Sequence, residues 1–200
     1  MNAPAPPIPS AEAESASALL FRTLGAHRAA IAALKPAHRP RLRTSSDDDP
    51  VQDRCQATLI RLLSITEAFT ADLLAREADK AVVLSKNTAA TRIAEEAVIR
   101  ATSGWLDQEK AYKEWLGVRE DWNAVVRLAE ARNAVAHGLG KLTKRQLRTE
   151  QRVKDRLLAA GISLHNGRIV LSDANLAAAA SACRDFIERV DSAVQAQSAP

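Results

Sequence analysis

The run Leu59-Ile60-Arg61-Leu62-Leu63-Ser64-Ile65-Thr66-Glu67-Ala68-Phe69-Thr70-Ala71-Asp72-Leu73-Leu74 repeats its bulky side chains at the helical period. Leu59, Leu62, Leu63, Thr66, Phe69, Leu73 and Leu74 recur every three or four positions, which winds them onto one face of an α-helix. This stripe marks a central core helix over about Val51 to Ala78. Glu67 lies beside it, between Leu63 and Leu74. A carboxylate this close to a core face ordinarily has a partner, because an unpaired buried charge is costly.

The flanks extend the helical pattern. Upstream, Ser10 caps a helix to about Lys35, with Leu19, Leu20, Leu24, Ile31 and Leu34 inward and Pro36 as the stop. Residues 1–9 are Pro-rich and predicted to be disordered. Residues 36–50 read as a solvated loop carrying His38, Arg39, Arg41 and Arg43, then Asp47-Asp48-Asp49. The sharper reading of that loop is a basic arm for nucleic acid.

Downstream, residues 79–103 predict a weakly amphipathic helix and Trp105–Leu116 a short one. Trp105, Trp115 and Trp122 read as packing rather than base stacking, because large aromatics fill cores well. A further helix runs from Gly117 or Val118 to His137, with Val118, Trp122, Val125, Val126, Ala129, Asn133 and Ala136 inward. Gly138 suits the left-handed residue that ends it. Thr143 and Gln146 match a capping box opening a basic helix to Ala160. Asn166-Gly167 between two short apolar runs signals a type I′ hairpin over 162–171. Ser172 or Asp173 caps a last helix to about Val194, which buries Cys183. The expected fold is all-α, an up-and-down helical bundle with a small β-hairpin insertion, in one domain over 10–196.

Composition agrees with close-packed helices. The chain has 200 residues, 46% hydrophobic but only 4% aromatic, so a helical core is favoured over a sheet sandwich. A net charge of +4 is compatible with a polyanion partner without demanding one. The two cysteines lack metal-ligand spacing, neither has a histidine at helical spacing, and no metal or other cofactor is expected. No apolar run approaches the roughly 20 residues of a membrane span, and the start lacks a signal peptide, so a cytoplasmic protein with no membrane partner is expected. Gly-rich phosphate loops, HExxH and GxSxG are absent.

Arg132, Asn133 and His137 remain, near one helix end. Asn133 and His137 are one turn apart on a shared face, with Arg132 on the neighbouring one. These groups suit RNA cleavage. RNA carries its own nucleophile, the 2′-hydroxyl, so an enzyme needs a group that moves protons near neutral pH and a cation for the phosphorane charge. One Arg and one His make a sparse site, which a symmetric dimer would complete. The cations that follow, Lys141, Lys144, Arg145, Arg148 and Arg152, are candidate RNA contacts.

Arg132-Asn133-Ala134-Val135-Ala136-His137 resembles the R-x(4–6)-H motif of the HEPN superfamily, including the polar residue that often follows the Arg. The helix with Thr66-Glu67-Ala68-Phe69 is similar to that family's earlier core helix, which often carries an acidic residue. The resemblance spans about residues 15–195, and only Arg132–His137 is diagnostic. It implies a dimeric α-helical bundle with metal-independent endoribonuclease activity, in a toxin–antitoxin or phage-defence setting. It also implies that Arg132 and His137 are catalytic, that Asn133 assists, and that Glu67 supports. One subgroup is silenced by modification of a Tyr two residues after the motif His. Leu139 stands there, which argues against an antitoxin acting in that way. Two other readings stay open. One is an HEPN-like module that binds without cleaving. The other is a winged helix-turn-helix over 118–171, against which the cations spread round the 143–160 helix and the turn 138–142 is long.

Overall fold

A computed structural model describes residues 8–34, 49–83 and 87–198. The expected disorder of 1–9 falls almost wholly outside them, as do the basic residues of the 36–50 loop and Asp47 and Asp48. The chain is an all-α helical bundle with a small antiparallel hairpin, 79% helical with eight helices among the described residues. In order these are α1 (Ala11–Ala33), α2 (Pro50–Val83), α3 (Thr88–Ala101), α4 (Trp105–Trp115), α5 (Asn123–Gly138), α6 (Lys144–Leu147) and α7 (Glu150–Ala159). The hairpin β1 (Ser163–His165) and β2 (Arg168–Val170) and the closing helix α8 (Asp173–Ser198) follow.

The α2 stripe is the centre of the core. Leu59, Leu62, Leu63, Thr66, Phe69, Leu73 and Leu74 are all buried, packed against α1, α5 and α8. Leu176, Ala179, Ala180, Cys183, Phe186, Ile187 and Val190 supply the matching face of α8. Trp122 gathers the aromatics: its ring lies 4.8 Å from Phe186, 5.3 Å from Tyr112 and 6.2 Å from Trp105, all tilted or edge-on. These rings fill the core, while Trp115 stays partly exposed.

The termini are tied together by polar groups. Ser10 caps α1 through its hydroxyl and also donates from its backbone N–H and its hydroxyl to the buried carboxylate of Asp191, both at 2.7 Å. At the other end of α1, Arg28 makes a two-pronged pair with Asp173, the first residue of α8.

Three boundaries differ from the sequence reading. Residue 79–83 belongs to α2, and Asn87 caps a separate α3 by accepting from Ala89 N–H at 2.9 Å. The helix expected from residue 117 begins only at Asn123. Gly117 takes φ +69°, which lets Val118 N–H reach back to the Tyr112 carbonyl at 3.0 Å. The chain then crosses in non-helical form until Asp121 accepts from Asn123 N–H at 2.8 Å. Third, the basic helix is broken between α6 and α7. Gln146 donates to the Glu130 carboxylate at 3.0 Å, and Arg156 donates to it at 2.6 Å. In one straight helix these two residues would stand about 15 Å apart along the axis. The break at Thr149 (φ −131°, ψ 42°) folds both round the same carboxylate.

Candidate functional site

The site is built where α2 and α5 cross the same surface. Gln56 lies against Gly140 and Glu67 against Arg132, so the two helices run antiparallel. The buried face of α5 is Val125, Leu128, Ala129, Ala131, Ala134 and Val135. It is turned slightly from the expected one. Asn133 is only half-buried and Ala136 is exposed, which places Arg132, Asn133, Ala136 and His137 along the outer side.

Arg132 is held from two directions. Its guanidinium stands 3.7 Å from the Glu67 carboxylate, the partner that residue was expected to need, and donates to the Asn133 amide oxygen at 3.3 Å. Both ionic side chains are about three-quarters covered, at 28% and 26% exposure, so their attraction is screened less than at an open surface. These contacts are long, and Arg132 Nε is buried without a partner. The cation is thus positioned while much of its donor capacity stays unused.

His137 is different. Its side chain lies exposed in the last turn of α5 and makes no hydrogen bond or ion pair with a described residue. The fold therefore gathers Glu67, Arg132 and Asn133 but leaves His137 beside them, facing solvent. Lys141, Lys144, Arg145, Arg148 and Arg152 are exposed too, and none of these side chains makes an ion pair or hydrogen bond with a described residue. On α7, Arg152 stands one turn before Arg156 and so shares the flank that faces α5. Lys154 lies on the other flank, paired with Glu150 at 2.7 Å.

The turn after His137 is firmly fixed. Gly138 remains helical, and Leu139, not Gly138, takes the left-handed conformation (φ 51°, ψ 44°). For a non-glycine residue that costs about 1 kcal/mol. Gly140 follows at φ +84°, where a Cβ would also press to 3.1 Å from Gln56 Nε2. Its carbonyl accepts from Ile169 N–H at 2.7 Å, and Lys141 forms a bridge with Arg168. The hairpin is therefore stitched to the end of the motif helix.

Sequence reasoning missed Glu130, which joins α5 to α6 and α7. Its only signal is a carboxylate on the inner flank of an alanine-rich helix. It also missed a tertiary pairing in the α1–α2 seam, where His27 Nε2 lies 3.9 Å from Cys55 Sγ and Nδ1 lies 3.0 Å from Thr58 Oγ1. Burial lowers the His27 pKa and raises that of the Cys55 thiol, so neither group is poised to ionise. Among the described residues, no three His, Cys, Asp or Glu side chains converge in a way that could hold a metal ion. A groove of about 780 Å³ between α7 and the hairpin is lined by Leu142, Leu147, Leu158, Ile162 and Leu164, and neither Arg132 nor His137 borders it. No described helix is long and apolar enough to cross a membrane.

Comparison with protein-family models, curated proteins and solved structures finds no match for this chain.

Proposed function

We propose that the protein is a cytoplasmic, metal-independent endoribonuclease of the HEPN type. The observation that carries this reading is Arg132, held by Glu67 and Asn133 with unused donors, on the same helix as a solvent-facing His137. His137 takes the proton from a 2′-hydroxyl, whose oxygen attacks the adjacent phosphorus. The bond to the 5′-oxygen breaks, and a protonated imidazole returns a proton to that leaving group. The products are a 2′,3′-cyclic phosphate and a 5′-hydroxyl. Arg132 stabilises the charge that builds on the phosphoryl oxygens. Asn133 and Glu67 orient it, and Lys141, Lys144, Arg145, Arg148 and Arg152 hold the flanking phosphates.

One imidazole cannot act as base and acid in the same instant. A homodimer that joins two motif helices supplies the second, which makes the active site composite. In that setting a toxin–antitoxin or phage-defence role follows from the resemblance, with an antitoxin or defence partner controlling access.

Purified protein should cut RNA in the presence of a chelator, and Arg132→Ala and His137→Ala should each lower the rate by at least about a hundredfold. Adding His137→Ala protein to wild type should lower the activity below that of the wild-type protomers present, because mixed dimers hold a single imidazole. Activity strictly proportional to the wild-type protomers present would contradict the composite site. Tight binding of RNA by the wild type with no cleavage would favour the binding module, and preference for duplex DNA of one sequence the winged reading.

A further inference from the structure

Two non-glycine residues among the described ones have positive φ, Leu139 and Asn166. Asn166 sits in the hairpin turn, where asparagine suits the left-handed conformation. Leu139 has no such reason. Leucine resists this backbone geometry, and its side chain is 84% exposed, so the core gains nothing from it. Glycine or asparagine would satisfy the turn better and avoid an apolar side chain in water. Strain retained in this way points to a use outside the folded chain.

The side chain is also presented rigidly. Leu139 and Gly140 N–H both turn back to the Ala134 carbonyl, and Lys141 N–H reaches the Gly138 carbonyl at 2.9 Å. The Ile169–Gly140 bond holds the same turn from the hairpin side. Leu139 thus lies in the chain between His137 and Lys141, the first of several exposed cations whose side chains lack partners among the described residues. A polyanion with apolar faces has the complementary character, and RNA exposes those faces only where its bases are unpaired.

We propose that Leu139 is a nucleobase contact, packing against the face of an unpaired base next to the phosphate that His137 and Arg132 address. This rests on the ribonuclease reading and narrows its substrate to single-stranded RNA. The cations then hold phosphates on either side, and the leucine selects strands whose bases are free to turn outward.

The test measures binding in the uncleaving His137→Ala background, with and without Leu139→Gly. The probes are a fluorescent single-stranded RNA oligonucleotide and the same backbone lacking bases. Leu139→Gly should leave the melting temperature unchanged or raise it by about 2–4 °C, because the turn is relaxed. It should weaken binding of the base-bearing strand about tenfold and leave the abasic strand unaffected. Equal affinity with and without Leu139, or equal loss on both strands, would overturn the proposal, as would weakened dimerisation as the sole effect. The cleavage reading is judged separately. Wild type that binds the single strand without cutting it sinks the reaction but leaves the Leu139 comparison decisive, whereas absence of RNA binding sinks both.

Discussion

Counting protons at single residues fixes the state of the seam between α1 and α2. Thr58 Oγ1 donates its one hydrogen to the Arg54 carbonyl at 2.8 Å, so it can only accept from His27. His27 therefore carries its proton on Nδ1, and Nε2 turns its lone pair towards the Cys55 thiol. A second proton would have to be taken up in a site with 3% exposure. Burial, and to a lesser degree Arg54 and Arg28, lowers the His27 pKa, while Asp173 opposes the shift. The unfolded chain binds that proton below about pH 6.5 and the folded chain only at lower pH. Stability from this group is complete above about pH 6.5 and is lost as pH falls through the lowered value. The melting temperature should thus decline between pH 6.5 and 5, before the carboxylates protonate, and the decline should shrink in His27→Gln. A flat profile over that range would contradict the assignment.

At the scale of elements, the hairpin is a brace. Besides the bond to Gly140, the Gln52 side chain pairs with Leu171 like a strand, accepting from its N–H at 2.9 Å and donating to its carbonyl at 2.8 Å. Gln52→Ala leaves both backbone groups without that partner and should cost about 2 kcal/mol in chemical denaturation. It should also speed amide exchange across β2 and the turn after α5. Unaltered exchange in that turn would show that the hairpin does not support it. The helices, the Asn166-Gly167 turn and the Thr143–Gln146 capping box were legible because each depends on residues within a few positions of one another. The break at Thr149 was not, since Glu130 imposes it from afar, between Gln146 and Arg156, and the late start of α5 follows from Gly117, whose positive φ turns Val118 back to Tyr112. The candidate site was legible in part. Arg132, Asn133 and His137 share one helix and their spacing is visible, and Glu67 was conspicuous beside an apolar stripe. Leu139 was hidden, because Gly138 looked the better left-handed residue and only the three-dimensional turn places it one position later.

For the whole molecule, one buried cluster runs from Ala13 in α1 to Val194 in α8. It fixes the antiparallel α2–α5 pair on which Glu67 meets Arg132. The central claim concerns the nucleophile, so the most direct measurement is of the ends it leaves. An RNA oligonucleotide and its counterpart with 2′-deoxyribose at the cut position are incubated with the protein in a chelator, and the products are resolved by mass. The account predicts fragments ending in a 2′,3′-cyclic phosphate and a 5′-hydroxyl from the RNA, and no cleavage at the deoxy position. Fragments with a 3′-hydroxyl and a 5′-phosphate, or equal cutting of both strands, would contradict it.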